Sequence, residues 1–219
     1  MRRLEADNMD SYITMRAEEM ALGEFEDRRS RFIAQLVHVE NEDEAMAHQA
    51  AVRSKHYDAR HNVPAWILAD GRERASDDGE PQRTSGMPTL EVLRGANLRD
   101  VCCVTTRYFG GTLLGPGGLV RAYTAAVQAA IGAAHAAGQL VEMTQVVRVD
   151  VTIGYSLYEQ AVRLVGDAGG KVAATDYTDS VAVHAAFRVG EEQPFLAKLT
   201  ELTNGANCAT VGKPAFAEF

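Results

Sequence analysis

The sequence has few cysteines and no long apolar segment. Its three cysteines, Cys102, Cys103 and Cys208, form an odd set in which two are adjacent. Such a set does not make a disulfide framework, so reduced and packed thiols are expected. No apolar run approaches the ~18 residues that a membrane helix needs. The acidic stretch over residues 5–10 also lacks the basic-then-apolar order of a signal peptide, so a cytoplasmic protein without membrane segments is expected.

An excess of basic residues is also missing. The chain has 219 residues, a formal net charge of −8, 46% hydrophobic residues and 24% charged residues. This composition is typical of globular proteins and argues against a disordered or fibrous chain. The negative net charge argues against a polybasic, nonspecific nucleic-acid binder, although it leaves room for a local basic site.

Lysine is absent from the middle third of the chain. Residues 60–125 contain eight arginines and no lysine against seven acidic residues, whereas the segments on both sides carry net negative charge. Arginine binds phosphate and carboxylate groups through two parallel hydrogen bonds. The arginines therefore predict either contacts with an external anion or salt bridges with the chain's own carboxylates, and composition leaves both open.

Hydrophobic periodicity predicts secondary structure in two groups. The first contains a strand over 30–39, a helix over 42–56, a strand over 63–68, a loop over 69–88, a helix opened by Pro88, a strand over 101–107, a glycine-rich loop and a helix over 119–137. The second contains a strand over 146–153, a helix capped by Ser156, strands over 171–177 and 181–189, a helix over 193–203 and a strand over 208–216. We therefore predict an α+β protein with two domains, residues 1–139 and 140–219, of which the second has the ferredoxin-like order β-α-β-β-α-β.

The glycine-rich loop is the densest candidate for a binding site. It lies between a predicted strand and a predicted helix, where unpaired backbone N–H groups form a natural anion site. The spacing matches neither known nucleotide loop, because the lysine and hydroxyl of a Walker A motif and the third glycine of a dinucleotide fingerprint are missing. The glycines concerned are Gly110, Gly111, Gly115, Gly117 and Gly118.

Two arginines flank this loop. Arg107 ends the preceding strand, and Arg121 is expected in the first turn of the following helix, where the helix dipole disfavours a cation. Two cations that converge on a helix N-terminus need an anion between them. That anion is either external, a phosphate or a carboxylate, or internal, with three candidate side chains: Asp77, Asp78 and Glu80.

The same three carboxylates also permit an alternative from another class, a hydrolase acting on a small phosphorylated or peptide substrate. Neighbouring carboxyl groups divide acid and base roles when their surroundings separate their pKa values. No nucleophile motif, metal-ligand set or cofactor motif accompanies them, so we expect no cofactor and no metal, and we favour a protein that is not an enzyme.

Two segments resemble the IMPACT/YigZ family. Residues 76–88 contain Ser-Asp-Asp-Gly-Glu-Pro followed by Thr-x-Gly-x-Pro, and residues 107–123 contain Arg-Tyr-Phe-Gly-Gly, then Gly-x-Gly-Gly-Leu-Val-Arg-Ala-Tyr. The resemblance implies an N-terminal domain similar to domain IV of elongation factor G and to a ribosomal-protein domain. It also implies a C-terminal domain similar to domain V of that factor. Eukaryotic relatives act in translational control under starvation, which implies a role in translation regulation and stress response.

We therefore predict a translation-associated regulatory protein that binds RNA or the ribosome through the arginine- and glycine-rich loop. The open face of the second domain's sheet, with His184 and Arg188, is expected to dock a protein partner or the N-terminal domain, and not RNA. The sequence does not indicate an oligomeric state. The predicted binding residues are Asp77, Asp78, Glu80, Arg107, Tyr108, Gly110, Gly111, Gly115, Gly117, Gly118 and Arg121.

Overall fold

The computed structural model describes residues 11–219, so the acidic stretch over residues 5–10 lies outside the described residues. Contacts between residues divide the described chain into two units, one over Tyr12–Val141 and one formed by Glu142–Phe219 with Ser11. The predicted boundary between residues 139 and 140 stays a prediction, because one continuous strand, Leu140–Ile153, runs through this part of the chain.

The first unit is built on a five-stranded antiparallel sheet. Its strand order is β2-β3-β6-β4-β5. The elements in chain order are β1 (Ser11–Met15), β2 (Met20–Asp27), β3 (Ser30–His38), α1 (Glu42–Lys55), β4 (His61–Ile67), β5 (Glu73–Ala75), α2 (Gly86–Gly95), β6 (Val101–Tyr108) and α3 (Gly115–Ala136). β1 lies outside this sheet and exchanges backbone hydrogen bonds with the segment that follows α2.

Helices cover both faces of this sheet. Because strand side chains alternate between faces, the adjacent cysteines of β6 enter different cores. Cys103 packs in the large cluster with Leu93 of α2 and Tyr123 of α3, whereas Cys102 packs with Val52 of α1 on the other face. Both thiols are free and fully buried, and burial raises the pKa of Cys103 to about 12. The expected packing of these two thiols is confirmed.

Two expectations for the first unit are wrong in detail, and one strand was missed. The segment predicted as a loop over 69–88 contains β5, which pairs with β4 and has only three residues, too few to show a period. Helix α2 begins at Gly86, two residues before Pro88. Strand β2 was not predicted, because its apolar residues lie on both faces and hide the alternation: Ala21 is buried and the adjacent Leu22 is exposed.

The second unit contains five strands of one sheet and two helices that cover it. Its elements are β7 (Leu140–Ile153), a short 3₁₀ turn (Tyr155–Leu157), α4 (Tyr158–Asp167), β8 (Lys171–Tyr177), β9 (Val181–Arg188), α5 (Glu192–Leu202), β10 (Ala209–Val211) and β11 (Ala215–Glu218). β9 lies between β7 and β8, and β10 and β11 both pair with β7. If β10 and β11 are taken as one interrupted strand, this is the ferredoxin-like arrangement, and the predicted order is confirmed.

Two details of the second unit differ from expectation. The strand predicted over 208–216 is two strands. The Gly212 N–H still donates to the Arg148 carbonyl of β7, but Pro214 has no N–H to donate and interrupts the pairing. Ser156 lies inside the 3₁₀ turn and does not cap α4. The alternation along β9 is as expected, with Phe187 buried and His184 on the open face. No helix in the part of the chain that the structure describes is long and apolar enough to span a membrane.

Candidate functional site

Asp77 organises the start of α2. Its Oδ1 accepts hydrogen bonds from the Gly86 backbone N–H (2.9 Å) and from the Ser85 hydroxyl (2.8 Å), and its Oδ2 accepts one from the Arg83 N–H (2.7 Å). Burial alone would raise the pKa of Asp77, but the hydrogen bonds from Arg83, Gly86 and Ser85 outweigh it and hold the pKa below its usual value. Asp77 therefore fixes the loop, and it pairs with no arginine side chain in the part of the chain that the structure describes.

Asp78 ties the same loop to α1 and β4. Its Oδ2 accepts the Asn62 backbone N–H at 2.6 Å, and its Oδ1 pairs with Arg53 Nη2 at 2.5 Å. Its carbonyl oxygen lies 2.8 Å from His61 Nδ1. These contacts hold Asp78 at a φ of +45°, a backbone conformation that is uncommon for residues with a Cβ. Like Asp77, Asp78 serves the loop's shape.

Glu80 is the internal anion that Arg107 meets. Arg107 Nη1 donates to both carboxylate oxygens of Glu80, at 2.7 and 2.9 Å, and the Tyr123 hydroxyl donates to Oε1 at 2.9 Å. The Glu80 and Arg107 side chains are only 2% and 8% exposed. Burial and the nearby Glu80 carboxylate both raise the pKa of Tyr123. We call these three residues the buried clasp, and it joins β6, α3 and the loop before α2.

Part of the Arg107 guanidinium is left unused by the clasp. Both hydrogen bonds to Glu80 leave from Nη1, while Nε is buried and has no hydrogen-bond partner among residues 11–219. The rings of Phe32 and Phe109 lie 5.5 and 5.6 Å from the guanidinium carbon. The edge formed by Nε and Nη2 is the one that arginine uses for two parallel bonds to an anion.

The glycine-rich segment over residues 110–118, which we call the glycine segment, is partly loop and partly helix. Gly110 and Gly111 lie in the loop after β6, but α3 begins at Gly115, four residues earlier than predicted, so Gly117 and Gly118 belong to its first turn. A Cβ at Gly110 would lie 2.1 Å from the Arg29 carbonyl carbon, so this loop needs glycine to pack against the β2–β3 turn. No side chain in the described chain caps α3.

The position expected for Arg121 is wrong. Because α3 starts at Gly115, Arg121 is its seventh residue and lies in the second turn. Its side chain folds back over the first turn, with its terminal nitrogens 3.8 and 3.9 Å from the positions of a Cβ at Gly117 and Gly118. Glycine and proline are poor helix formers, so a segment rich in them does not look helical in the sequence. Proline is nevertheless well tolerated in the first turn of a helix, which is where Pro116 lies. Among residues 11–219, Arg107 and Arg121 do not share a counter-ion.

Tyr108 lies on the other face of the sheet. Since β6 side chains alternate, Arg107 points toward α3 and Tyr108 toward the C-terminal end of α1. The Tyr108 hydroxyl lies 2.9 Å from His56 Nδ1 and donates to Asp58 at 3.2 Å. Burial, followed by the hydrogen bond to Asp58, raises the pKa of Tyr108. The structure therefore separates Tyr108 from the buried clasp.

A cavity of about 480 Å³ opens beside the clasp and the first turn of α3. We call it the α3 cavity. Glu80 and Arg107 line its inner part, and Arg60 and Phe109 line it as well. Arg60 and Phe109 were not among the predicted site residues. Arg60 belongs to the arginine-only middle third, which was the available signal, but nothing local in the sequence links either residue to α3.

Comparison with known proteins places these features in a family. A family model described as the Impact N-terminal domain matches residues 28–131, and one described as a domain of unknown function (DUF1949) matches residues 151–206. IMPACT family member YvyE of Bacillus subtilis (strain 168) is 32% identical over 96% of this chain and 95% of its own length. The chain belongs to the IMPACT family. The family membership expected from the motifs is confirmed.

Further relatives agree with this assignment. IMPACT family member YigZ of Escherichia coli (strain K12) is 34% identical over 82% of this chain and 88% of its own length. A solved structure described as the crystal structure of an hypothetical protein shares 32% identity and has a TM-score of 0.57, covering 93% of this chain and 97% of that one. The predicted α+β class with two domains is confirmed, and the buried clasp lies in the part matched by the Impact N-terminal domain.

Proposed function

We propose that this protein is a translation-associated regulator that binds RNA or the ribosome through four exposed arginines around the N-terminus of α3. We call these residues, Arg28, Arg29, Arg60 and Arg121, the arginine surface. The observation that carries the proposal is their convergence on a helix start that no side chain among residues 11–219 caps. Backbone N–H groups at such a start and arginine side chains are both phosphate-binding groups.

Contacts with the glycine segment bring the four arginines together. Arg28 Nη1 donates to the Leu113 carbonyl at 3.3 Å, and the Arg29 backbone lies against Gly110. Arg60 lines the α3 cavity, and Arg121 folds over the first turn of α3. None of the four forms a salt bridge within the described chain, so no carboxylate there neutralises their charges.

The backbone of the β2–β3 turn supports the same proposal. Arg28 and Arg29 form this turn with φ values of +48° and +65°, where glycine and asparagine are strongly preferred. Two arginines in this conformation cost conformational energy, and such strain is concentrated at functional sites. The turn places the Arg28 guanidinium on the Leu113 carbonyl and the Arg29 backbone against Gly110.

The alternative hydrolase gains no support from the geometry. Asp77 is bound to backbone N–H groups, Asp78 to Arg53 and Asn62, and Glu80 to Arg107 and Tyr123. A carboxylate that acts as acid or base needs a free oxygen facing a substrate. We therefore favour binding without catalysis. Docking of a protein partner on the second unit's sheet and a cytoplasmic location stay predictions.

The arginine surface is tested with the double variant Arg60→Ala, Arg121→Ala. The matched control is Arg72→Ala, Arg74→Ala, which removes two exposed arginines already paired with Asp70 and Glu42. Co-sedimentation with ribosomes and filter binding to RNA are measured at several salt concentrations. We expect affinity to fall by about tenfold at low salt. The slope of log affinity against log salt concentration should fall in magnitude by about 1 to 2, because each phosphate contact that is lost no longer releases a counter-ion. Equal affinity of the test and control variants would contradict the proposal.

A further inference from the structure

We propose that the α3 cavity binds a phosphate monoester that carries a flat apolar group. This is the chemistry of a nucleoside 5′-monophosphate, either free or as the 5′ end of an RNA. The inference deepens the proposed function, on which its RNA form rests, because it assigns one defined ligand group to the middle of the arginine surface.

Two independent features provide for the phosphate. The first is the N-terminus of α3, a 22-residue helix whose first-turn N–H groups have no side-chain cap in the described chain. The second is Arg107, which is 7% exposed and whose Nε lacks a hydrogen-bond partner among residues 11–219. A buried donor without a partner is costly, and an anion at the Nε–Nη2 edge would satisfy it. Both features border the same cavity.

The charge balance of the cavity favours an anion. Glu80 also lines it, but both Glu80 oxygens are bound to Arg107 and the Tyr123 hydroxyl also donates to one of them. The Glu80–Arg107 pair is therefore neutral as a unit. Arg60 and the positive end of the α3 dipole leave the cavity cationic. The rest of the Arg107 guanidinium is fixed in place by Glu80 before any ligand arrives, which lowers the entropy cost of binding.

Apart from His61, the other side chains that line the cavity are apolar, and two of them are strongly exposed. Phe109 is 48% exposed and Leu113 80% exposed, and Pro116 and Leu119 complete this side of the cavity. A site for the phosphodiester backbone alone has no use for such walls. A nucleobase stacks on an aromatic ring, and Phe109 lies next to Arg107 at the phosphate end. The volume of about 480 Å³ falls within the range of small-molecule sites.

Isothermal titration calorimetry with the full chain tests the ligand class. The probes are adenosine 5′-monophosphate, adenosine, inorganic phosphate and N-acetylphenylalanine, a carboxylate that carries an aromatic ring. We expect the monophosphate to bind at least about tenfold more tightly than each of the other three, because it alone fills both ends of the cavity. Equal affinity for adenosine, or for N-acetylphenylalanine, would overturn the proposal.

A pair of variants locates the binding. Phe109→Ala should weaken binding of the monophosphate by about tenfold, since it removes the stacking surface, and should leave binding of inorganic phosphate unchanged. The matched control is Leu22→Ala, which removes a similarly exposed apolar side chain from the opposite face of the sheet. Fluorescence of Trp66 confirms that both variants are folded. Wild-type affinity of Phe109→Ala for the monophosphate would contradict this placement.

A matched pair of RNA hexamers separates this inference from the proposed function. We expect a hexamer with a 5′-phosphate to bind about tenfold more tightly than the same hexamer with a 5′-hydroxyl. If both bind equally and Arg60→Ala, Arg121→Ala weakens both, the cavity proposal fails and the arginine surface stands. If the monophosphate binds as described and neither RNA binds, the cavity proposal stands in its free-nucleotide form and RNA binding fails.

Discussion

Arg107 and His184 are each held by carboxylates, but in opposite surroundings. Arg107 lies inside the first unit, bound to Glu80 with side chains that are 8% and 2% exposed. His184 lies on the open face of the second unit's sheet, with Nδ1 2.6 Å from Asp150 and Nε2 3.2 Å from Asp176. Asp150 and Asp176 are 58% and 72% exposed.

The difference lies in what water does for each group. Around His184, solvent screens the charges and replaces any contact that is lost, so exposed pairs add little to stability. Around Arg107 no water compensates for a lost partner, and the remaining buried ion carries its full desolvation cost. Although the hydrogen-bond distances are similar, the difference in burial therefore predicts a structural role for the buried clasp and a mainly electrostatic role for the His184 cluster.

The largest effect is expected for Arg107→Ala. This variant leaves Glu80 as an uncompensated buried charge, which costs about 3–5 kcal/mol of unfolding free energy. The measurement is urea unfolding followed by the fluorescence of Trp66, the single tryptophan, which is buried in the first unit. The control Arg121→Ala removes an exposed arginine and should change stability by no more than about 0.5 kcal/mol.

The double variant Arg107→Ala, Glu80→Ala sharpens this result. Removing both ions should cost less than the sum of the two single variants, by about 2 kcal/mol, because no unpaired charge is left behind. Additive effects, or an unfolding midpoint of Arg107→Ala equal to that of the wild type, would show that the clasp does not couple these residues.

A smaller loss is expected for Tyr123→Phe. The substitution keeps the ring in its edge contact with Phe32 and removes only the hydroxyl that donates to Glu80. A hydrogen bond to a buried charged group contributes about 2 kcal/mol, so unfolding free energy should fall by that amount in the Trp66 assay. Tyr57→Phe, at an 85% exposed tyrosine, serves as the control. Identical stability of the two variants would argue against a charged, buried Glu80.

Asp77→Asn tests a case between the buried Arg107 and the exposed His184, since Asp77 is half-buried and bound by backbone N–H groups. We expect a loss of about 1 kcal/mol at neutral pH, similar to the loss of a helix cap. Because the folded pKa of Asp77 is lowered, its contribution is complete above its unfolded pKa of 3.8 and disappears as pH falls through the folded pKa. The variant should therefore be less stable than the wild type at neutral pH. Its unfolding free energy should depend less on pH below 4, because it has no carboxylate at position 77 to protonate. An unchanged pH dependence, equal to that of Glu26→Gln, would contradict this role.

The sequence predicted most of the regular elements and fewer of the contacts between them. Periodicity located α1, β6 and the ferredoxin-like second unit, because each buries one face or is buried entirely. It missed the start of α3 at Gly115, where glycines and a proline carry no apolar stripe. It also missed β2, whose residues pack on α3 through one face and leave Leu22 exposed on the other.

For the site, the sequence supplied Glu80 and Arg107 but could not choose among the pairings of the predicted residues. An internal anion for Arg107 was one of two predicted alternatives, and Glu80 fills that place at a separation of 27 residues. Tyr123, 43 residues from Glu80, completes the clasp. Such contacts depend on strand register and helix placement, which no local pattern encodes. Arg60 and Phe109 reach the α3 cavity for the same reason.

The smallest effect concerns the titration of His184. The hydrogen bond that His184 donates to Asp150, followed by the one it donates to Asp176, raises the pKa of His184 above 6.5. Because the folded pKa is raised, the cluster adds stability below pH 6.5 and loses this contribution as pH rises through the folded pKa. NMR titration of the His184 ring measures the pKa directly, with His184→Gln used to assign the signal. We expect Asp150→Asn to lower this pKa more than Asp176→Asn, since Asp150 makes the shorter contact. A larger effect of Asp176→Asn would mean that the exposed cluster does not hold its geometry in solution. The buried clasp is expected to hold its geometry, because no water can replace a lost partner there.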